Sequence, residues 1–170
     1  NADGDNDSST GIGITGLTTT AVSTDVSTSG TTGVTLAKDG LGALYIKKGS
    51  NTLPIVDDEG SQVEFDWKEN WAGETIKSSA YAVEGIDSNS DGTIDKYQLA
   101  IKQETKNQLS NYAQVQWETI EISTAGVVDW TSMTFGDPKI HEQNLNQDLD
   151  GDGAIWSSAN LTFTSVSTDA

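Results

Sequence analysis

The 170-residue chain contains no cysteine, no arginine, one histidine (His141), one methionine and two prolines. Without cysteine, disulfides, thiolate zinc sites, iron–sulfur clusters and cysteine nucleophiles are excluded together. A single histidine argues against a Ser-His-Asp triad or a multi-histidine metal centre. Cations are scarce as well: nine lysines stand against twenty-six acidic groups, giving a net charge of −17 and a pI near 4.1. No basic patch can be assembled to neutralise phosphates, so nucleic acid is not expected as a partner. No run of about 18 apolar residues occurs, so no membrane span is expected, and no basic-then-apolar leader opens the sequence.

What is present is oxygen chemistry. Hydrophobic residues make up 34% and there are seventeen glycines, enough apolar material for a core in one domain, with or without an extended arm. An acidic, cysteine-free, Thr/Ser/Gly-rich chain fits an extracellular, cell-surface protein of a bacterium, stabilised by some cross-link other than sulfur. Ca2+, a hard cation bound by oxygen, is the obvious candidate.

The chain reads in three parts. Residues 1–40 form a Thr/Ser/Gly-rich extended arm with an acidic N-terminal loop, either a flexible stalk or a strand that joins a neighbouring unit. Ile12 and Ile14 alternate as in a short strand. Residues 41–156 form a tryptophan-rich β-domain with two calcium loops. Short β-branched and aromatic runs at 44–47, 52–56, 62–67, 81–86, 95–101, 115–122 and 127–130 are separated by polar turns, which predicts an all-β fold, a β-sandwich or stacked hairpins. One short helix is expected, with Asp137 as N-cap, Pro138 at the first helical position and residues 139–145 completing two turns. Residues 157–170 look like the start of the next repeat. LTTTAVSTD at 17–25 matches LTFTSVSTD at 161–169 in seven of nine positions, 144 residues apart. An acidic triplet also precedes each copy, Asp3, Asp5 and Asp7 before the first and Asp148, Asp150 and Asp152 before the second, in register after a one-residue slip. A tandem unit whose ends overlap follows from this order.

Two segments carry metal chemistry. In DSNSDGTID at 87–95, Asp87, Asn89 and Asp91 occupy positions 1, 3 and 5. Gly92 makes the sharp turn at 6, Thr93 offers a backbone carbonyl at 7 and Ile94 is the hydrophobic at 8. Alternate residues of a tight loop point inward, so three oxygens converge on one cation at about 2.3–2.6 Å. Gln98 replaces the bidentate Glu at position 12, and Asp95 at position 9 is the substitute carboxylate. In DLDGDGAI at 148–155 the same grammar places Asp148, Asp150, Asp152 and Ala154 at positions 1, 3, 5 and 7. Its later ligands are missing, and Glu142, Asn144 or Asn146 can be returned to the ion by the preceding helix. Asp3, Asp5 and Asp7 form a third, less complete set, with Ser8 where Gly is needed. The incomplete ligand sets predict affinity in the range of about 10⁻⁴–10⁻³ M. The five tryptophans are expected mainly in the core, with a carbohydrate platform as the alternative. His141 is expected to pack rather than to bind metal.

LYIKKGSNTLPIV at 44–56, the Trp-bearing middle and NLNQDLDGDGAI at 144–155 resemble the tryptophan-rich C-terminal domain family described from cyanobacteria, whose members typically end in NQDLNGDG. The resemblance spans roughly residues 40–156, with Asp150 in place of the commoner Asn. It implies an extracellular location and tandem copies, and it implies no catalytic activity. Sequence spacing alone does not make a glycosidase pair of Asp66 and Glu69, so no enzyme is expected. The expected function is a calcium-stabilised structural module of an extracellular fibre, filament or giant surface protein, partnered by copies of itself head to tail. The alternative is a carbohydrate-binding adhesion module that grips polysaccharide through exposed Trp.

Overall fold

The computed structural model describes residues 18–24, 33–107, 109, 110, 112–145 and 148–155. Nine strands and one helix are assigned within them. The strands β1 (Thr19–Thr24), β2 (Val34–Asp39), β3 (Leu44–Lys48) and β4 (Asn51–Pro54) form sheet 1. Sheet 2 contains β5 (Trp67–Trp71), β6 (Glu74–Ile86), β7 (Lys96–Asn107), β8 (Ala113–Ser123) and β9 (Val128–Gly136). The helix α1 (Pro138–Leu145) follows. Spatial order equals chain order in both sheets, and every ladder is antiparallel. The polar turns therefore act as hairpin connections, and the architecture is all-β and sandwich-like, with one short helix.

Period-two alternation decides which face each strand buries. In sheet 1, Val34, Leu36, Leu44 and Ile46 point inward, with Leu36 directly opposite Ile46. In sheet 2, Tyr97, Leu99 and Ile101 of β7 face them, flanked by Ala80 and Val83 of β6 and by Ile120 and Ile122 of β8. Ile55, Val63 and Phe65 fill the same core from the crossover between the sheets. The opposite face of sheet 2 is covered by α1, where Leu145 and Leu149 pack on Ala82, Ala100 and Trp117. The Asp137 carboxylate accepts the Lys139 N–H at 2.9 Å, as an N-cap should.

Three expectations change. The boundary drawn at residue 40 is crossed by a sheet: β1 and β2, assigned to the arm, pair through β2 with β3, and Val34 and Leu36 are core residues. The run 62–67 is not a strand. Gln62 makes one bridge to Val56, Val63 and Phe65 are buried without a ladder, and β5 begins only at Trp67. The tryptophans divide: Trp117 is buried edge-on against Tyr81, with centroids 4.8 Å apart. Trp67, Trp71 and Trp130 are exposed, at 41%, 69% and 47%. For Trp67 and Trp71 the cause is a length mismatch, because sheet 1 strands have 4 to 6 residues whereas β6, β7 and β8 have 11 to 13. One end of sheet 2 therefore projects past its cover. Trp130 lies at the other end and rests on Phe65.

The crossover also locks the sheets along one side. Val56 donates its N–H to the Gly126 carbonyl and accepts the Val128 N–H, each at 2.9 Å. Gly126 has φ of +87°, and a Cβ there would lie 2.2 Å from the Pro54 carbonyl oxygen. Gly126→Ala therefore meets both left-handed strain and a backbone clash, and is expected to lose about 2–4 kcal/mol in chemical denaturation. At Gly92 the φ is similar, but a Cβ would have no other atom within 4 Å, so Gly92→Ala should lose only about 1–2 kcal/mol.

Candidate metal site

The two acidic segments adopt one backbone frame. In the first, the β6–β7 connection, Asp87 Oδ2 accepts the Gly92 N–H at 2.7 Å, Asn89 Oδ1 accepts the Asp91 N–H at 2.9 Å and Asp91 Oδ1 accepts the Thr93 N–H at 2.8 Å. In the second, which follows α1, Asp148 Oδ2 accepts Gly153 N–H at 2.8 Å, Asp150 Oδ1 accepts Asp152 N–H at 3.0 Å and Asp152 Oδ1 accepts Ala154 N–H at 2.9 Å. Position 1 thus holds position 6, position 3 holds position 5, and position 5 holds position 7 in both. Positions 4 and 6 are left-handed in both as well: Ser90 and Gly92 at φ 61° and 86°, Gly151 and Gly153 at 79° and 85°. The sequence grammar is therefore also a shape, with three side-chain oxygens drawn to the inner side of a tight turn.

Hydrophobic anchors fix the loops differently. In the first, Ile94 at position 8 is buried against Gly85, whereas Ile155 at the same position of the second is 40% exposed. There the anchor is Leu149 at position 2, buried on the α1 side of sheet 2.

The two loops also gather different oxygens. Glu142, on α1 and 1% exposed, accepts the N–H groups of Leu149 and Asp150 through Oε1, at 3.0 and 3.2 Å. Carboxylate oxygens of Glu142, Asp148 and Asp150 lie within 4.8 Å of one another. Ligands on opposite sides of a Ca2+ ion stand about 5 Å apart, so this spacing fits one coordination shell. Three carboxylates this close repel one another unless a cation or protons neutralise them. Asp152 instead faces Lys139 at 3.7 Å.

In the first loop, Asp87, Asp91 and Asp95 form no comparable group among the described residues, because Asp95 Oδ2 is turned onto the Ser88 N–H at 2.8 Å. The Thr93 N–H and hydroxyl hold the Asp91 carboxyl below the usual carboxylate range, so it stays ionised. Asn144 lies in α1, with its side chain outside what is described, and Asp3, Asp5, Asp7 and Asn146 lie outside the described residues. Of the helix residues expected as returning ligands, Glu142 has its side chain described, and it lies at the loop.

His141, next to Glu142, is buried, with Nδ1 3.5 Å from Thr119 Oγ1 and Nε2 directed at Gly136. It packs α1 onto sheet 2 and is no part of the carboxylate group. No protein-family profile, no curated protein and no solved structure matches the chain. Among the described residues no helix is long and apolar enough to cross a membrane.

Burial lowers the His141 pKa from the ordinary histidine value, and the Asp137 charge only partly opposes this. A folded-state pKa below the unfolded one means that His141 favours folding above about pH 6.5, and that this contribution is lost as pH falls through the folded pKa. The fall in thermal midpoint between about pH 7 and 5 is expected to be shallower in His141→Gln than in the parent, measured by differential scanning calorimetry.

Proposed function

We propose that the chain is a calcium-stabilised structural module of an extracellular bacterial fibre, filament or giant surface protein, with units joined head to tail. The observation that carries the metal reading is the common hydrogen-bond frame of the two acidic loops, to which Glu142 adds a buried carboxylate at the second. An ion there neutralises Glu142, Asp148 and Asp150 and ties α1 to the loop that follows it. Support for joining comes from β1, an edge strand of sheet 1, whose sequence is nearly repeated at 161–169. The repeat copy from a neighbouring unit has the residue pattern to take the place of β1 on β2, a form of strand addition.

A second reading, a module that grips neutral polysaccharide, is favoured by Trp67 and Trp71. They lie four residues apart on one face of β5, about 13 Å along the strand, and both are exposed. Flat rings at such a spacing can stack on separate sugars of an extended glycan. Quenching of tryptophan fluorescence by a soluble neutral glycan, lost in Trp71→Ala, would establish it.

Calcium titration is expected to raise the unfolding midpoint and slow proteolysis, with chelator reversing both. A site in hundredfold excess of ion over its Kd adds about 2.7 kcal/mol. Glu142→Gln keeps an acceptor for the Leu149 and Asp150 N–H groups but removes the charge. It should therefore hold its metal-free midpoint within about 1 kcal/mol while losing most of the second loop's calcium response. Equal midpoints with Ca2+ and with chelator in the parent would end the metal reading. For joining, removal of residues 161–170 is expected to abolish assembly in sedimentation, and undiminished assembly would disprove the joining scheme.

A further inference from the structure

Lys38 stands on the inward face of β2, in the row of Val34 and Leu36 and opposite Leu44. Its ammonium is ion-paired with Oδ2 of Asp66, which lies between β4 and β5 at the margin of the core; the two side chains are 30% and 31% exposed. The other oxygen of that carboxylate, Oδ1, accepts the N–H of Ala80 on β6 at 2.7 Å. Asp66 is thus held by sheet 2 while its partner belongs to sheet 1. Among the described ion pairs this is the one that joins the sheets: Lys77–Glu104, Lys96–Glu121 and Lys102–Glu104 lie within sheet 2, and Lys139–Asp152 links α1 to its loop. As a partly exposed ion pair it would contribute little to holding the sheets together.

We infer that Lys38 and Asp66 condense to an intramolecular amide, a covalent staple between the two sheets. Lys38 Nζ, as the free amine, attacks Asp66 Cγ. The Nζ–Cγ bond forms, the Cγ–Oδ2 bond breaks, and Oδ2 leaves as water with two of the three protons of the original ammonium. The third stays on the amide nitrogen and Oδ1 becomes the amide carbonyl. The ion pair contains every atom the condensation needs, and no electrons are exchanged with a partner. Contact between amine and carboxyl supplies the high effective concentration that such a step requires. The Ala80 N–H already points at Oδ1, the oxygen on which negative charge grows in the tetrahedral intermediate.

Intact-mass measurement on the purified full chain tests the staple. The expected mass is one water below that of the sequence, and tandem mass spectrometry of a digest should find the peptides containing Lys38 and Asp66 joined as one branched species. Lys38→Arg keeps the positive charge and removes the amine, so it is expected to return to its full sequence mass. A parent at full sequence mass overturns the inference. So does a water loss that persists in Lys38→Arg, since an Asp-Gly succinimide would behave in that way.

Discussion

Burial of β7 from both sides governs the arrangement of the rest. Its odd-numbered residues Tyr97, Leu99 and Ile101 need sheet 1 above them, and its even-numbered Ala100 needs α1 and Trp117 below. Both covers exist over only part of its length. Where they meet, large aliphatic side chains such as Leu99 and Ile101 are removed from water at about 1.5–3 kcal/mol each. Past Ile101 the cover from sheet 1 ends and the strand turns polar, with Gln103, Glu104 and Thr105 only partly buried. The well-anchored loop with Ile94 lies at the covered end. The exposed rings of Trp67 and Trp71 lie at the end that projects, so one mismatch in strand length separates an end anchored in the core from one that presents aromatic rings to solvent.

The charge is distributed along the same division. Twenty-six acidic groups would oppose any compact state if they were spread evenly, but the loops commit many of their acceptor oxygens to backbone N–H groups. Asp87, Asp91, Asp148, Asp150 and Asp152 each accept at least one. The loop shape is thus stabilised by charge-assisted hydrogen bonds within the chain itself. What the peptide groups leave uncompensated is greatest at Glu142, Asp148 and Asp150, where carboxylates gather at the buried face of α1. Binding energy for a divalent cation is largest where that repulsion is largest.

Legibility in the sequence follows local chemistry. The hairpin of β3 and β4, the 87–95 loop and the cap at Asp137 are readable because each is specified by residues within about ten positions: Gly49 and Ser50, the 1-3-5-6 acid pattern, and the Asp-Pro step. The returned Glu142 is also readable, as one of the residues a helix can bring back to its own following loop. The outer halves of β6 and β7 are not. Residues 74–79 and 102–107 lie on the projecting end, where neither face is fully covered, so polar residues occupy both faces and no alternation marks the strand. The turn between β5 and β6 is hidden for a different reason. Ala72 adopts φ of +50° beside Gly73, a position where Asn or Gly would have announced a hairpin. Trp67 and Trp71 mislead because size suggests burial, whereas their exposure depends on which strand outlasts its cover, a tertiary fact.

The metal loops and the inter-sheet contacts answer to different loads. Both loops belong to sheet 2 and its helix, so the proposed ions would act on that layer and not on its attachment to sheet 1. That attachment consists of the apolar core, the Val56 hydrogen bonds to Gly126 and Val128, and the Lys38–Asp66 link. In the proposed assembly, a load applied to a unit through β1 enters at sheet 1, and it reaches sheet 2 only through these inter-sheet contacts. An apolar interface yields readily when its layers are pulled past one another, because its attraction is non-directional. The proposed amide between Lys38 and Asp66, at the margin of the core, would resist that motion directly.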